Sequence, residues 1–125
     1  MIFGVGTDLT QICRIEKSLQ SPAFFKRVYG PQEQLFLEGL KPLHRAESAA
    51  ANFAAKEAFL KACGRGLGDF ALGEIQVLRK ESGAPYYELS GKAADFVSKN
   101  KLLPSLSLSH EGELALAFAV LEQAI

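Results

Sequence analysis

Four residues of this chain have side chains that could act on a phosphate ester if the fold gathered them: Asp8, Glu57, Lys61 and His110. Asp8 stands at the end of an apolar run, where a carboxylate is costly unless it is paired, hydrogen-bonded or bound to a metal; the plainer alternative is a cap on the helix that follows. Glu57 and Lys61 are four apart, so they share a helix face. They form either a surface ion pair or part of a site. Phe53, Leu60 and Gly64 fall on or beside the same face, which points to partial burial, while Lys56 is one position off and is expected on a flanking face. Asp8 and Glu57 together offer the oxygens that Mg²⁺ takes, since that ion uses one or two protein carboxylates and fills its octahedron with waters and substrate phosphates. Two carboxylates alone do not specify such a site. His110 is either structural or exposed, or else, beside Asp8 and Glu57, a phosphate donor or proton carrier.

The run "GRGLG", Gly64 to Gly68, is not a Walker A loop, because it lacks the GK[ST] ending and follows a helix instead of a strand. It can cap that helix, or it can let the backbone approach a phosphate closely, with Arg65 adding charge.

The elements that must position these residues are legible from periodicity. Ile2 to Leu9 reads as a strand, and Gly4 and Gly6 within it mark close backbone approach. Thr7 or Thr10 is a candidate cap for a helix over Gln11 to Leu19, with Ile12, Ile15 and Leu19 at helical spacing. Ser21-Pro22 opens a short helix through Val28, and Gly30-Pro31 precedes another over Gln32 to Leu40. The longest helix is expected from Pro42 or Leu43 to Cys63. Its many alanines favour the helix and keep it thin, and Gly64 follows as a C-terminal cap. The period then changes to two. "GEIQVLRK" and "PYYELS" are strands joined by "ESGA"; Gly91 to Lys101 is a helix; "PSLSLSH" and "LALAFAVLE" form a hairpin with His110 at its tip. In "PSLSLSH", Leu106 and Leu108 should face one way and the serines the other. The fold class is therefore α+β, a mostly antiparallel sheet packed against a long central helix.

With 125 residues, 48% of them hydrophobic, the chain suits one globular domain over residues 1–125. Cys13 and Cys63 form no metal or disulfide pattern. No apolar run reaches the roughly 18 residues of a membrane span, and the start lacks the basic region of a signal peptide, so a cytoplasmic protein is expected. Net charge is zero but uneven. Arg14, Lys17, Lys26 and Arg27 against Glu16 make a basic patch, read either as a solvated face or as a docking surface for an acidic macromolecule.

Taken together, "GVGTDLTQICRIE", "FFKRVYGPQE", "FAAKEAFLKACGRGLG", "SGAPYYEL" and "LSLSHEGELALAFAV" resemble the small holo-acyl-carrier-protein synthases, the short class of 4′-phosphopantetheinyl transferases. The resemblance implies that fold and a reaction in fatty acid biosynthesis. In it, the phosphopantetheine arm moves from coenzyme A to a serine of an acyl carrier protein, and adenosine 3′,5′-bisphosphate is released. It implies Mg²⁺ at Asp8 and Glu57 and coenzyme A phosphates at Lys61 and His110, with Gly64, Arg65, Gly66 and Pro85 beside the cofactor. Arg14 and Lys17, followed by Lys26 and Arg27, would dock the carrier. It also implies a homotrimer with sites at subunit interfaces, and no nucleic-acid or membrane partner. The serine proton would pass to Glu57 or to a water it orients. Three departures from the family's usual residues bear on the grip on coenzyme A. Asn52 stands where an arginine is common, Arg65 where threonine is common, and Ala84 where lysine is common. Without an arginine at position 52 a phosphate contact is either lost or replaced, with Arg65 as the candidate replacement. The competing readings are a catalytically silent binding module and a scaffold whose ion pair and glycines are structural only.

Overall fold

The computed structural model describes residues 1–65 and 69–124. Strand β1 (Ile2–Gln11) leads into three short helices, α1 (Ile12–Ser18), α2 (Pro22–Val28) and α3 (Pro31–Glu38), and then into the long α4 (Pro42–Ala62). A 3-10 turn at Leu72–Glu74 precedes β2 (Ile75–Arg79) and β3 (Pro85–Leu89), α5 (Gly91–Lys99), and the hairpin β4 (Leu102–Glu111) and β5 (Leu114–Gln123). The elements match the periodicity, with ends differing by one or two residues. The single expected sheet is in fact two: a three-stranded sheet in the order β1-β5-β4 and a two-stranded β2-β3 ribbon, both antiparallel.

Local chemistry explains the boundaries. The Ser21 hydroxyl accepts from the Phe24 amide and opens α2. Helix α4 ends in a Schellman arrangement: Gly64 has φ +72°, its amide donates to the Lys61 carbonyl, and the Arg65 amide donates to the Leu60 carbonyl. Neither Thr7 nor Thr10 caps α1, whose N-cap position, Gln11, makes no side-chain cap bond. Thr10 is spent elsewhere, on Asp8.

Helix α4 runs through both hydrophobic clusters and is the spine of the molecule. The three-stranded sheet lies on it through small residues. On β5 the inward positions Ala115, Ala117 and Ala119 are fully buried, while Leu114, Leu116 and Phe118 point out to solvent. On β1, a Cβ added to Gly4 would collide with the Ala62 carbonyl oxygen, and one added to Gly6 would collide with that of Ala58. The two glycines therefore allow strand and helix backbones to touch, as their place in the strand suggests. On β4, Leu106 and Leu108 pack on the core and the alternate serines are exposed, as expected from the alternation.

Gly6→Ala should therefore push β1 off α4. We expect it to lower unfolding stability by at least about 1–3 kcal/mol, the cost of overpacking a filled interior. Gly39→Ala serves as control, because φ is −77° there and the nearest atoms are 3.5 Å from the new Cβ. It should stay within about 0.5 kcal/mol of the parent. Denaturant midpoints of the two variants test this.

Candidate active site

From Ala49 to Ala62 every residue of α4 is buried except Phe53, Glu57 and Lys61. That four-residue spacing is a single open stripe on an otherwise enclosed helix, and β1 runs beside it. Asp8, two residues beyond Gly6, has the same strand parity as that glycine and so faces α4. One carboxylate oxygen of Asp8 accepts from Thr10 Oγ1 at 2.8 Å. The other lies 3.4 Å from Lys61 Nζ, which also donates to the Thr7 carbonyl at 2.8 Å. Asp8 is thus a partner of Lys61 and not a cap, and Lys61 reaches across to the strand instead of closing an ion pair with Glu57.

Glu57 has no hydrogen bond or ion pair among the described residues. Its pKa is pushed up, first by burial and then by the charge of Asp8; Lys61 and Arg14 oppose the shift. Two carboxylates therefore lie close enough for the charge of one to act on the other, with Lys61 and Arg14 as the nearby cations. This donor set fits a hard divalent cation such as Mg²⁺, which needs only one or two protein carboxylates. Among the described residues no group of three or more His, Cys, Asp or Glu is arranged for a metal, so the remaining positions would fall to water and substrate.

Lys56 corrects the sequence reading. It does not project to a flanking surface but is fully buried. Its ammonium lies 2.6 Å from Glu33 Oε1 and donates to the carbonyls of Leu72 and Ile75. Burial pulls its pKa down to about 8, although Glu33 acts in the other direction. Asn52 joins the same network. Its amide donates to Glu33 Oε2 and to the Val77 carbonyl, and its oxygen accepts from Arg79. Glu33 and Gln76 also hold the amides at the start of α3. Lys56 and Glu57, neighbours in sequence and about 100° apart around α4, thus face different neighbours, one locked into α3 and β2 and the other facing β1.

His110 is not at the hairpin tip but one step inside it, paired with Ala115. Nor does the fold bring it to Asp8. Asp8 pairs with Ala117 on one edge of β5, and His110 belongs to the strand on the other edge. Its Nδ1 lies 3.9 Å from Glu47, whose other oxygen is 3.4 Å from His44 Nδ1. Glu47 precedes Glu57 by ten residues, about 15 Å along a helix. Around His110 is a pocket of ≈ 260 Å³ that also includes Pro85, Gly83, Ser48, Ser109 and Arg79. Pro85 is thus beside His110. Arg65 lies elsewhere, over the Phe96 ring at 5.1 Å. Gly64 is the helix cap, and Gly66 lies outside the described residues.

Sequence reasoning misses Arg79 and Glu47. A signal for Arg79 exists: period two places it on the same strand face as the buried Ile75 and Val77, where an arginine needs a reason. Arg14, Lys17, Lys26 and Arg27 are all exposed on α1 and α2. Arg14 also rests on Phe53, 5.9 Å from its ring centre, so it borders the open stripe.

The family model for the 4′-phosphopantetheinyl transferase superfamily matches residues 4–119. The chain belongs to that superfamily. Holo-[acyl-carrier-protein] synthases of Clostridium beijerinckii and Geobacter metallireducens are 39% and 40% identical to it, over 98% of this chain and 98% and 99% of theirs. Among solved structures, the Bacillus anthracis holo-(acyl-carrier-protein) synthase in complex with CoA (3′,5′-ADP) superposes with TM-score 0.85 at 35% identity, covering 99% of both chains. The Plasmodium yoelii acyl carrier protein synthase with ADP bound gives 0.89 at 31%, covering 100% of this chain and 98% of that one. The α+β architecture is the phosphopantetheinyl transferase fold.

The raised pKa of Glu57 has a thermodynamic sign. Between its unfolded and folded values the folded state holds more protons, so stability falls as pH rises through that window. In the metal-free protein, Glu57→Gln should remove that fall and leave the variant more stable than the parent at neutral pH. Thermal unfolding across pH 4–8 is the measurement; a parent and variant with parallel profiles would contradict the burial of this carboxylate.

Proposed function

We propose that this chain transfers the 4′-phosphopantetheine arm of coenzyme A to a serine hydroxyl of an apo acyl carrier protein, releasing adenosine 3′,5′-bisphosphate. The observation that carries the proposal is the convergence of Asp8 and Glu57 beside Lys61 along the open stripe of α4. Family membership and relatives named for this activity support it.

Asp8 and Glu57 would hold Mg²⁺, which when bound neutralises pyrophosphate charge. Lys61, whose side chain is half-exposed, can leave the Thr7 carbonyl for a phosphate oxygen. The serine oxygen attacks the phosphorus that bears the pantetheine arm, an O–P bond forms, and the bond from that phosphorus to the bridging oxygen breaks, so that this oxygen leaves with adenosine 3′,5′-bisphosphate. The serine proton passes to Glu57 or to a water that Glu57 orients. Alignment and charge stabilisation do most of the work in such a transfer.

A carrier protein is acidic, which suits the exposed basic residues of α1 and α2. Lys26 also lines a groove with Leu19, Pro22, Phe25, Glu38 and Arg45. We place the reaction in the cytoplasm and in fatty acid biosynthesis. No helix is long and apolar enough to cross a membrane among the described residues. The acting form is proposed to be a homotrimer. Its support is the outer face of the three-stranded sheet, where Val5, Leu9, Leu114, Leu116 and Phe118 are exposed together. Association would also let the carboxylate pair of one copy meet the His110 pocket of the next.

With Mg²⁺, coenzyme A and an apo carrier, the carrier should gain the mass of one phosphopantetheine. Asp8→Ala should abolish the gain, and near-normal turnover by that variant would overturn the metal assignment. Lys17→Glu with Lys26→Glu should raise KM for the carrier several-fold and leave KM for coenzyme A in place; equal changes in both would remove the docking role.

A further inference from the structure

The wall of the His110 pocket holds a guanidinium that neither the fold nor the reaction as described requires. Arg79 is half-buried at the end of β2. Its Nη2 donates to Asn52 Oδ1 at 2.9 Å, and its Cζ sits 5.2 Å from the Phe36 ring centre. Beyond these it makes a long 3.4 Å approach of Nη1 to the Leu78 carbonyl. No carboxylate among the described residues lies within ion-pair distance of it. Burial works against its charge, and Glu33, which acts from behind Asn52, restores part of it. An arginine stays protonated under these conditions, so a partly desolvated positive charge faces the pocket with donors to spare.

The rest of the pocket tells which ligand suits that charge. His44 and His110 flank it, Ser48 and Ser109 add hydroxyls, and Glu47 is the one acid among the lining residues. Glu47 is already placed between the two imidazoles, 3.4 and 3.9 Å away. One more anion is what this set lacks, and a guanidinium with hydroxyls and imidazoles around it matches a phosphate monoester.

We propose that Arg79, aimed by Asn52 and braced on Phe36, grips the terminal 3′-phosphate of coenzyme A and makes the enzyme prefer coenzyme A to its 3′-dephospho form. This rests on the transfer reaction proposed above. Coenzyme A carries two kinds of phosphate. The pyrophosphate has to lie at Asp8, Glu57 and Lys61, where its bridge is broken. The Arg79 pocket is walled by the opposite edge strand of the sheet, so the group it takes is the one that does not react. The guanidinium that position 52 lacks is thus supplied from β2, with the asparagine at 52 holding it, and not from Arg65, which is engaged with Phe96.

The test compares coenzyme A with 3′-dephospho-coenzyme A as donor for the parent, Arg79→Gln and Arg79→Lys. For Arg79→Gln, KM for coenzyme A should rise roughly tenfold to a hundredfold, the range of a charge-assisted hydrogen bond. Its kcat and its KM for the dephospho donor should stay near the parent's, and Arg79→Lys should recover part of the loss. Equal losses on both donors, or none on coenzyme A, would overturn the assignment. If the parent transfers from neither donor, the transfer reaction itself fails. Calorimetric binding of adenosine 3′,5′-bisphosphate against adenosine 5′-monophosphate still decides on Arg79, since only the bisphosphate should lose affinity in the glutamine variant.

Discussion

A strand can lie in backbone contact with a helix only where side chains are missing between them, and the site depends on one such contact. Gly4 and Gly6 of β1 meet the carbonyls of Ala62 and Ala58 on α4 so closely that a single methyl would collide with them. With the strand fixed there, Asp8 arrives two residues later beside Glu57, and the Thr7 carbonyl arrives within reach of Lys61. Alanines extend the same logic across the sheet, because the inward positions of β5 are Ala115, Ala117 and Ala119. Neighbours this close require a thin helix, and the carboxylates meet because the helix is thin.

Rotation of α4 about its own axis is fixed from the other side. Lys56, Asn52 and Glu33 form a buried polar cluster in which both Glu33 oxygens and the Lys56 ammonium are satisfied. A buried ion pair of this kind adds little net stability, because desolvation offsets most of the attraction, yet removing one partner is costly. Its effect here is directional. Had α4 turned by one residue so that the open stripe ran through Lys56, Glu33 would be left buried without its ammonium partner. The cluster therefore excludes that alternative by the high cost of an unpaired charge.

The elements are legible in the sequence because their signals are local: a period of two in β4, a proline at the start of three helices, a glycine after α4. The glycines of β1 also announce their purpose. What cannot be read locally are partners distant along the chain. Lys56 looks like a surface residue in sequence because its partners Glu33 and Ile75 are 23 and 19 residues away. Splitting the strands into two sheets depends on which edges meet, and period two is silent on that. The resemblance implies that His110 and Asp8 serve one site, yet pairing on opposite edges of β5 separates them within a single copy of the chain.

That separation bears on assembly. A sheet that puts alanines inside and Leu114, Leu116 and Phe118 outside inverts the usual arrangement of an isolated domain, in which the larger apolar groups face the core. The inversion follows from the close helix: from Ala115 to Ala119 the inner face of β5 has no room for large residues, so hydrophobic area is displaced outward there. Contiguous apolar area of that sort is a liability for a monomer and an interface for an oligomer. The packing that creates the carboxylate pair thereby also creates a surface through which copies can join. The proposed trimer turns this to use, since a ligand with charge at both ends needs the carboxylate cluster and the Arg79 pocket at once. One geometric requirement, a strand laid against helix backbone, then underlies the paired carboxylates and the exposed apolar face, and through them the proposed metal site and the proposed trimer.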